Sequence, residues 1–232
     1  MRTKFLITLL TLYFHSSIYS QNLGESTWGS WNEITSSNRI SNKFSVNGSF
    51  TNWNYETTLN KPQLILGIIG VNYHFNKKIS AGFGYASGNI DTSFEVNEVP
   101  DILENRFLEQ VVYKHKLFHL NWSHRFRLEQ RFLEYEHEDL LIHRVRYRFK
   151  GKQPLSELFF VSFYDEIHFN LNEFVFQQNR AYLGIGLNLT EHSNIDLGYA
   201  RHSFKTKSFN RISLQLNLKY DFRKPKHKLA QL

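Results

Sequence analysis

The chain has 232 residues, among them 28 Lys and Arg, 21 Asp and Glu, and no cysteine. The lack of cysteine excludes a disulfide framework, a thiolate nucleophile and a Cys-ligated metal. The net charge of +7 permits attraction to anionic lipid headgroups, although scattered, solvated charges are the simpler explanation.

The first 21 residues have the layout of a cleaved secretory signal peptide. Arg2 and Lys4 precede an apolar run from Phe5 to Phe14, and small residues follow before Gln21. This run is too short to cross a bilayer core of about 30 Å as a helix, and no later segment approaches about 18 consecutive apolar residues. We therefore expect an exported protein without helical membrane spans.

Beyond residue 21, apolar and polar positions alternate in long segments, which predicts β-strands. A soluble sandwich would show the same alternation. However, these segments run to about 10 to 16 residues, whereas strands of globular proteins peak near 5 or 6 and membrane-crossing strands need about 9 to 11. Their length favours lipid as the apolar partner. In chain order the predicted strands are Thr27–Ile34, Ile40–Tyr55, Gln63–Phe75, Ile79–Ser87, Asn105–His115, His119–Leu133, Leu141–Lys150, Glu157–His168, Gln177–Leu189, Asn194–Phe204 and Phe209–Phe222.

Short turns are predicted on one side of the sheet, for example Gly151–Pro154, and longer connections on the other, for example Gly88–Glu104. Outer-membrane barrels keep their short turns in the periplasm. Three strands predicted to run towards these turns end in aromatic pairs, which is typical of a girdle at a membrane interface. The pairs are Tyr73 with Phe75, Tyr147 with Phe149, and Tyr220 with Phe222.

The predicted fold is all-β: a transmembrane antiparallel up-and-down β-barrel of 10 to 12 strands over residues 22–222, followed by a basic periplasmic tail, 223–232. The sheet must close because unpaired edges are not tolerated in hydrocarbon. Even strand numbers keep both termini in the periplasm. Either Thr27–Ile34 is therefore not a wall strand, giving ten, which we favour, or Gly88–Glu104 hides a strand, giving twelve.

Several sequence strings resemble an uncharacterised family of outer-membrane barrels, the domain of unknown function 2490, which is common in the Bacteroidetes. They are a leader ending in Ser-Gln, Trp28 and Trp31, ENRFLEQ, RFRLEQRF, HRVRYRF, FYDEIHFN, QNRAYLGIGLNL and ISLQLNLKYDF. The resemblance covers about Glu25 to Phe222. It implies a barrel in the outer membrane and supplies no activity, so no catalytic residue is carried over.

The inward faces of the predicted strands are rich in arginine and glutamate. One interpretation is a lumen plugged by Arg–Glu pairs, since guanidinium groups suit buried, multiply bonded roles. The other is a narrow anion-preferring pore, since rings of Arg select anions. The residues concerned are Arg125, Arg127, Glu129, Arg131, Arg144, Arg146, Arg148, Glu166, His168, Arg180 and Arg211.

A lipid hydrolase embedded in the barrel is the second alternative, and Ser123 and His168 are the residues that would test it. Nucleophilic catalysis needs a hydroxyl within hydrogen-bond reach of a base. Ser123 and His119 are about 13 Å apart along one strand, so we expect no enzyme. We expect no metal, no cofactor and no nucleic-acid partner. The expected partners are outer-membrane lipids and the barrel assembly machinery, with the oligomeric state left open.

Overall fold

The computed structural model of the chain describes residue 25, residues 27–96 and residues 101–223. The predicted signal peptide and residues 224–232 of the predicted tail lie outside this part. The described residues form a closed β-barrel, which confirms the predicted fold class. Its strands are β1 (Trp28–Arg39), β2 (Phe44–Asn54), β3 (Pro62–His74), β4 (Ile79–Ile90), β5 (Ile102–Leu117), β6 (Leu120–Glu134), β7 (Asp139–Pro154), β8 (Phe159–Asn170), β9 (Val175–Asn188), β10 (Ser193–Phe204) and β11 (Ser208–Asp221).

No helix within the described ranges is long and apolar enough to cross a membrane.

The barrel closes through a parallel pair, β1 with β11, whereas consecutive strands pair antiparallel. Trp28 lies opposite Asn210, and Arg39 lies opposite Asp221. The expectation of an even strand number, and with it the preference for ten, is therefore wrong. The segment Thr27–Ile34 belongs to a wall strand that pairs along its length on both sides. A parallel closing pair removes the need for an even count, because the first and last strands run in the same direction.

Parallel closure also places the two ends of the described chain at opposite ends of the barrel. The side chain of Glu25 accepts a hydrogen bond from the backbone N–H of Ser208, at 2.5 Å. At the other end, the backbone N–H of Phe222 donates to the carbonyl of Arg39, at 2.8 Å. The prediction that both termini lie on one side is wrong for the same reason as the even strand count.

One end of the barrel, the short-turn end, carries turns of two to four residues; the opposite end, the loop end, carries connections that include 55–61 and 91–101. The predicted turn Gly151–Pro154 is wrong, since β7 continues to Pro154. Gly151 lies against a ring: a Cβ there would come within 2.4 Å of Cζ of Phe163. The glycine thus makes room for an aromatic side chain in the wall, and the chain turns only after it.

The alternation of the strands sorts side chains as predicted into an apolar outer face and a mixed inner face. Ile69, Phe83 and Leu183 are exposed on the outside. The inward side chains of β1–β5 form an apolar cluster in the lumen that includes Trp31, Trp53, Leu64, Leu66 and Leu108. The hydrophobic core of the protein therefore lies inside the barrel.

The six predicted girdle aromatics lie on the outer face. Tyr73 contacts Phe75, with ring centroids 5.0 Å apart, and Tyr220 contacts Phe222, at 6.0 Å. These two pairs lie where β3 and β11 end. Tyr147 and Phe149 lie further from the turn than predicted, because β7 extends to Pro154.

Candidate functional site

The candidate site is the lumen, and its charged half is built by the inward faces of β5 to β9. Arg125 lies in register with Arg148, Arg127 with Arg146, and Glu129 with Arg144 on β6 and β7. On β8, Glu166 lies opposite Arg148 and also opposite Arg180 of β9. Because alternate residues of each strand share a face, the sequence strings RFRLEQRF and HRVRYRF necessarily stack their arginines in this lumen.

Glu129 is the centre of the network and is 0% exposed. Arg144 donates to its Oε2, through Nε at 2.8 Å and through Nη2. Arg146 donates to Oε1 at 2.6 Å, and Arg127 lies 3.5 Å from the same oxygen. Both carboxylate oxygens are therefore satisfied by guanidinium groups, which form stronger hydrogen bonds than neutral donors.

Arg146 links Glu129 to a second buried carboxylate, Glu166. Its Nη2 donates to Glu166 Oε2 at 2.7 Å, and Arg125 donates to Oε1 at 2.6 Å. His168 Nε2 lies 3.5 Å from Glu166 Oε2. A continuous chain of ion pairs thus runs along the inner wall over three adjacent strands, β6, β7 and β8.

A third carboxylate, Glu104, extends the network towards the loop end. Arg106 makes a two-pronged contact with it, at 2.6 and 2.7 Å, and Arg131 also donates to it. Sequence reasoning missed Glu104 because it assigned this residue to the loop preceding β5. The apolar residues Ile102 and Leu103, which begin the strand, are the signal that could have identified it.

The remaining predicted lumen arginines contact aromatic rings on the apolar half. Arg180 lies 4.3 Å above the ring of Trp53, and Arg211 lies 5.4 Å from the same ring. Arg148 lies 5.6 Å from the ring of Tyr164. Cation–π contacts of this kind gain strength when the cation is desolvated. The sequence placed the arginines on the inner face but did not identify Trp53 as their partner.

At the loop end, a cap closes the lumen. It consists of Tyr55, Asp91, Phe94, Val96, Phe204 and Phe209. The hydroxyl of Tyr55 donates to Asp91 at 2.5 Å, and Phe94 stacks on Phe209 with ring centroids 5.5 Å apart. Phe94 adopts φ of 65°, a left-handed conformation that is strained for a bulky residue. Its ring packs against Phe204 and Phe209, which fixes Phe94 at the loop end of the barrel. Sequence reasoning missed the cap because Asp91, Phe94 and Val96 lie in a loop that shows no periodicity.

The pH dependence of stability should reveal the Tyr55–Asp91 contact. Burial, and then the hydrogen bond to Asp91, raises the pKa of Tyr55 above its ordinary 10.0. In the unfolded chain Tyr55 ionises near pH 10, whereas in the folded protein it stays neutral at that pH. Its contribution to the free energy of unfolding is therefore fully present below about pH 10 and is lost as the pH rises further. Urea midpoints measured from pH 8 to pH 11 should fall more steeply for the wild type than for Tyr55→Phe. Exposed Tyr85 offers the control: Tyr85→Phe should retain the wild-type slope, and equal slopes for all three proteins would contradict the assignment.

On the short-turn side of the ion-pair network, the lumen contains a cavity of about 360 Å³. Trp31, Trp53, Arg146 and Arg180 lie at its closed end, and its lining extends to residues near the short-turn end, including Asn72. Lys114 and Lys219, which also line it, are exposed. The lumen is therefore filled towards the loop end and open towards the short-turn end.

The residues that would test a hydrolase are not brought together. Ser123 is in register with Lys150, whereas His168 is in register with Arg146, which places them roughly 13 Å apart along the strand direction. Among the described residues no group of three His, Asp or Glu side chains is arranged to hold a metal ion.

Comparisons with known proteins identify a family but no activity. The model of the family described as "Protein of unknown function (DUF2490)" matches residues 28–213. No curated protein matches the chain. One solved structure, described as a porin, is similar with a TM-score of 0.39 and 12% sequence identity, over 76% of this chain and 60% of the porin chain. The chain thus spans less than two thirds of that porin.

Proposed function

The chain belongs to the family described as "Protein of unknown function (DUF2490)", and we propose that it is an integral outer-membrane β-barrel whose plugged lumen gives it a structural, non-conducting role. The apolar side chains of the outer wall are exposed, which supports placement in lipid. A closed barrel suits this placement because it has no unpaired sheet edge. The leader-like N-terminal sequence supports export. The resemblance to an outer-membrane family that is common in the Bacteroidetes supports the outer membrane of such a Gram-negative bacterium as its location. Outer-membrane lipids and the barrel assembly machinery are then its partners.

The observation that carries this proposal is the bridge formed by Arg146 between Glu129 and Glu166, at 2.6 and 2.7 Å. An ion path through the barrel would have to pass this level, where Arg180 of β9 reaches across the lumen to lie 4.3 Å from the ring of Trp53 on β2, and then the cap. Breaking one partner of a buried pair leaves an uncompensated charge in a poorly solvated site, which costs about 3–5 kcal/mol. The bridge is therefore a poor candidate for a gate that opens spontaneously.

The experiment is electrical recording across a planar bilayer. The refolded wild type should give no reproducible conductance steps, while a refolded porin in the same bilayer gives them. Flotation with lipid vesicles must show in parallel that the protein has inserted. Regular steps from the wild type would overturn the plug.

A narrow anion-preferring pore is the second candidate, because the cavity lining has more cations than carboxylates. Conductance with a reversal potential that favours chloride over potassium would support it, whereas cation preference would reject both candidates. As part of the same proposal the barrel has no enzymatic activity. Turnover of phospholipid or lipid A that is lost in Ser123→Ala or His168→Ala would contradict this.

A further inference from the structure

The cavity at the short-turn end is surrounded by positive charge that the described residues neutralise only in part. Nine Lys and Arg side chains line it, against two carboxylates, Glu33 and Glu166. Glu166 is already paired with Arg125 and Arg146. Such an imbalance in a concave, partly dry site is unfavourable unless something else supplies negative charge.

Five of the cations form no ion pair with any residue that the structure describes: Lys114, Arg148, Lys150, Arg180 and Lys219. They come from four strands, β5, β7, β9 and β11, and line one cavity. Lys114 is close enough to Lys219 and Arg148 to be repelled by both. Lys150 is repelled by Arg148 and Lys219 and attracted by Asp196 and Glu33.

Residues of the lining also carry N–H donors that have no hydrogen-bond partner in the part of the chain that the structure describes. Five such nitrogen atoms belong to residues of the cavity lining: Trp31 Nε1, Trp53 Nε1, Arg125 Nε, Arg146 Nε and Arg180 Nε. Buried donors are almost always satisfied in folded proteins. These nitrogens are themselves shielded from solvent, so the feature of the cavity that complements an anion rich in acceptor oxygens is its surplus positive charge.

We propose that this cavity is a blind binding site for a small soluble phosphate-bearing anion with at least two negative charges, which enters from the short-turn end. The volume of about 360 Å³ lies within the usual range of small-molecule sites, about 300–1,000 Å³. Guanidinium groups match the geometry of phosphate oxygens, and lysine ammonium groups act as point charges beside them. The closed wall separates the site from lipid, which selects a soluble ligand.

Lys114 and Lys219 are exposed at the mouth of the cavity, whereas Arg148 and Lys150 lie deeper and are half-buried. The mouth residues attract the anion into the barrel, and the deeper pair holds it. Binding does not depend on conduction, because ligand enters and leaves by the same end. A conducting barrel could still bind the anion, and a plugged one could fail to.

The test is calorimetric titration of the refolded barrel with pyrophosphate in a neutral detergent at low ionic strength. Wild type should bind, and Arg148→Gln/Lys150→Gln should weaken the affinity at least tenfold. The matched control is Lys77→Gln/Lys78→Gln, which removes the same charge from an exposed turn at the same end and should bind like wild type. Absence of wild-type binding, or equal affinities for the two double variants, would overturn the proposal.

Thermal unfolding separates loss of the site from loss of the fold. Because a ligand that binds the native state stabilises it, pyrophosphate should raise the melting temperature of wild type. Without ligand, the Arg148→Gln/Lys150→Gln variant should melt within a few degrees of wild type, since the loss of the contact between Arg148 and Tyr164 is offset by the removal of two mutually repelling cations. It should gain less from pyrophosphate. If this variant fails to refold, Lys219→Gln at the exposed mouth replaces it; an affinity unchanged from wild type would then overturn the proposal.

Discussion

Replacing Glu129 by glutamine should lower the free energy of unfolding by about 3–5 kcal/mol, because it leaves buried guanidinium groups without their counter-charge. Arg144 and Arg146 both donate to this carboxylate, and Arg127 lies 3.5 Å from it. Glutamine keeps the size of the side chain but offers one neutral acceptor oxygen instead of two charged ones. Urea titration in neutral detergent, with the slope against urea concentration checked for constancy, measures the change.

Two further variants show whether charge, and not shape, is responsible. Glu191→Gln removes an exposed carboxylate that lies 3.5 Å from His192 in a turn, and it should change the free energy of unfolding by about 0.5 kcal/mol or less. The double variant Glu129→Gln/Arg144→Gln removes one charge of each sign, so it should recover part of the loss. If the double variant lost more free energy of unfolding than the two single variants together, a network organised around Glu129 would be contradicted.

The inner and outer faces of the barrel were predictable from the sequence, because they depend on local alternation. Arg125, Arg127 and Glu129 lie on one face of β6 whatever the partner strand is, since a strand has a period of two. What alternation does not contain is the pairing of inward side chains between strands. The bridge from Glu129 to Glu166 through Arg146 joins three strands, and it depends on a register that no single strand specifies.

The parallel seam between β1 and β11 was not predictable for a related reason. The two strands are far apart in sequence, and the direction of β1 relative to β11 follows only from closure of the whole sheet. The end of β7 was misplaced because Gly151 and Pro154 are usual turn residues. Here Gly151 makes room for the ring of Phe163, and Pro154 is the last residue of the strand. Neither residue marks the position at which the chain reverses.

Replacing Trp53 by alanine should lower the free energy of unfolding by about 3–5 kcal/mol, the usual range for a buried large aromatic residue. Trp53 is 4% exposed and lies on the inner face of β2. Its ring contacts Trp31, with centroids 5.5 Å apart, and carries Arg180 at 4.3 Å on its face. The substitution therefore removes apolar packing from one half of the lumen and a cation–π partner from the other.

Trp28→Ala is the matched control, because it deletes the same side chain from the outer face of the neighbouring strand. Trp28 is 53% exposed and contacts Tyr199 with ring centroids 5.6 Å apart, so its loss should cost about 1 kcal/mol in neutral detergent. A filled lumen requires a clear difference between the two variants in the same urea titration. If Trp53→Ala is as mild as Trp28→Ala, water already reaches Trp53 in the native barrel, and a conducting path through this level becomes the better explanation of the arginine-lined lumen.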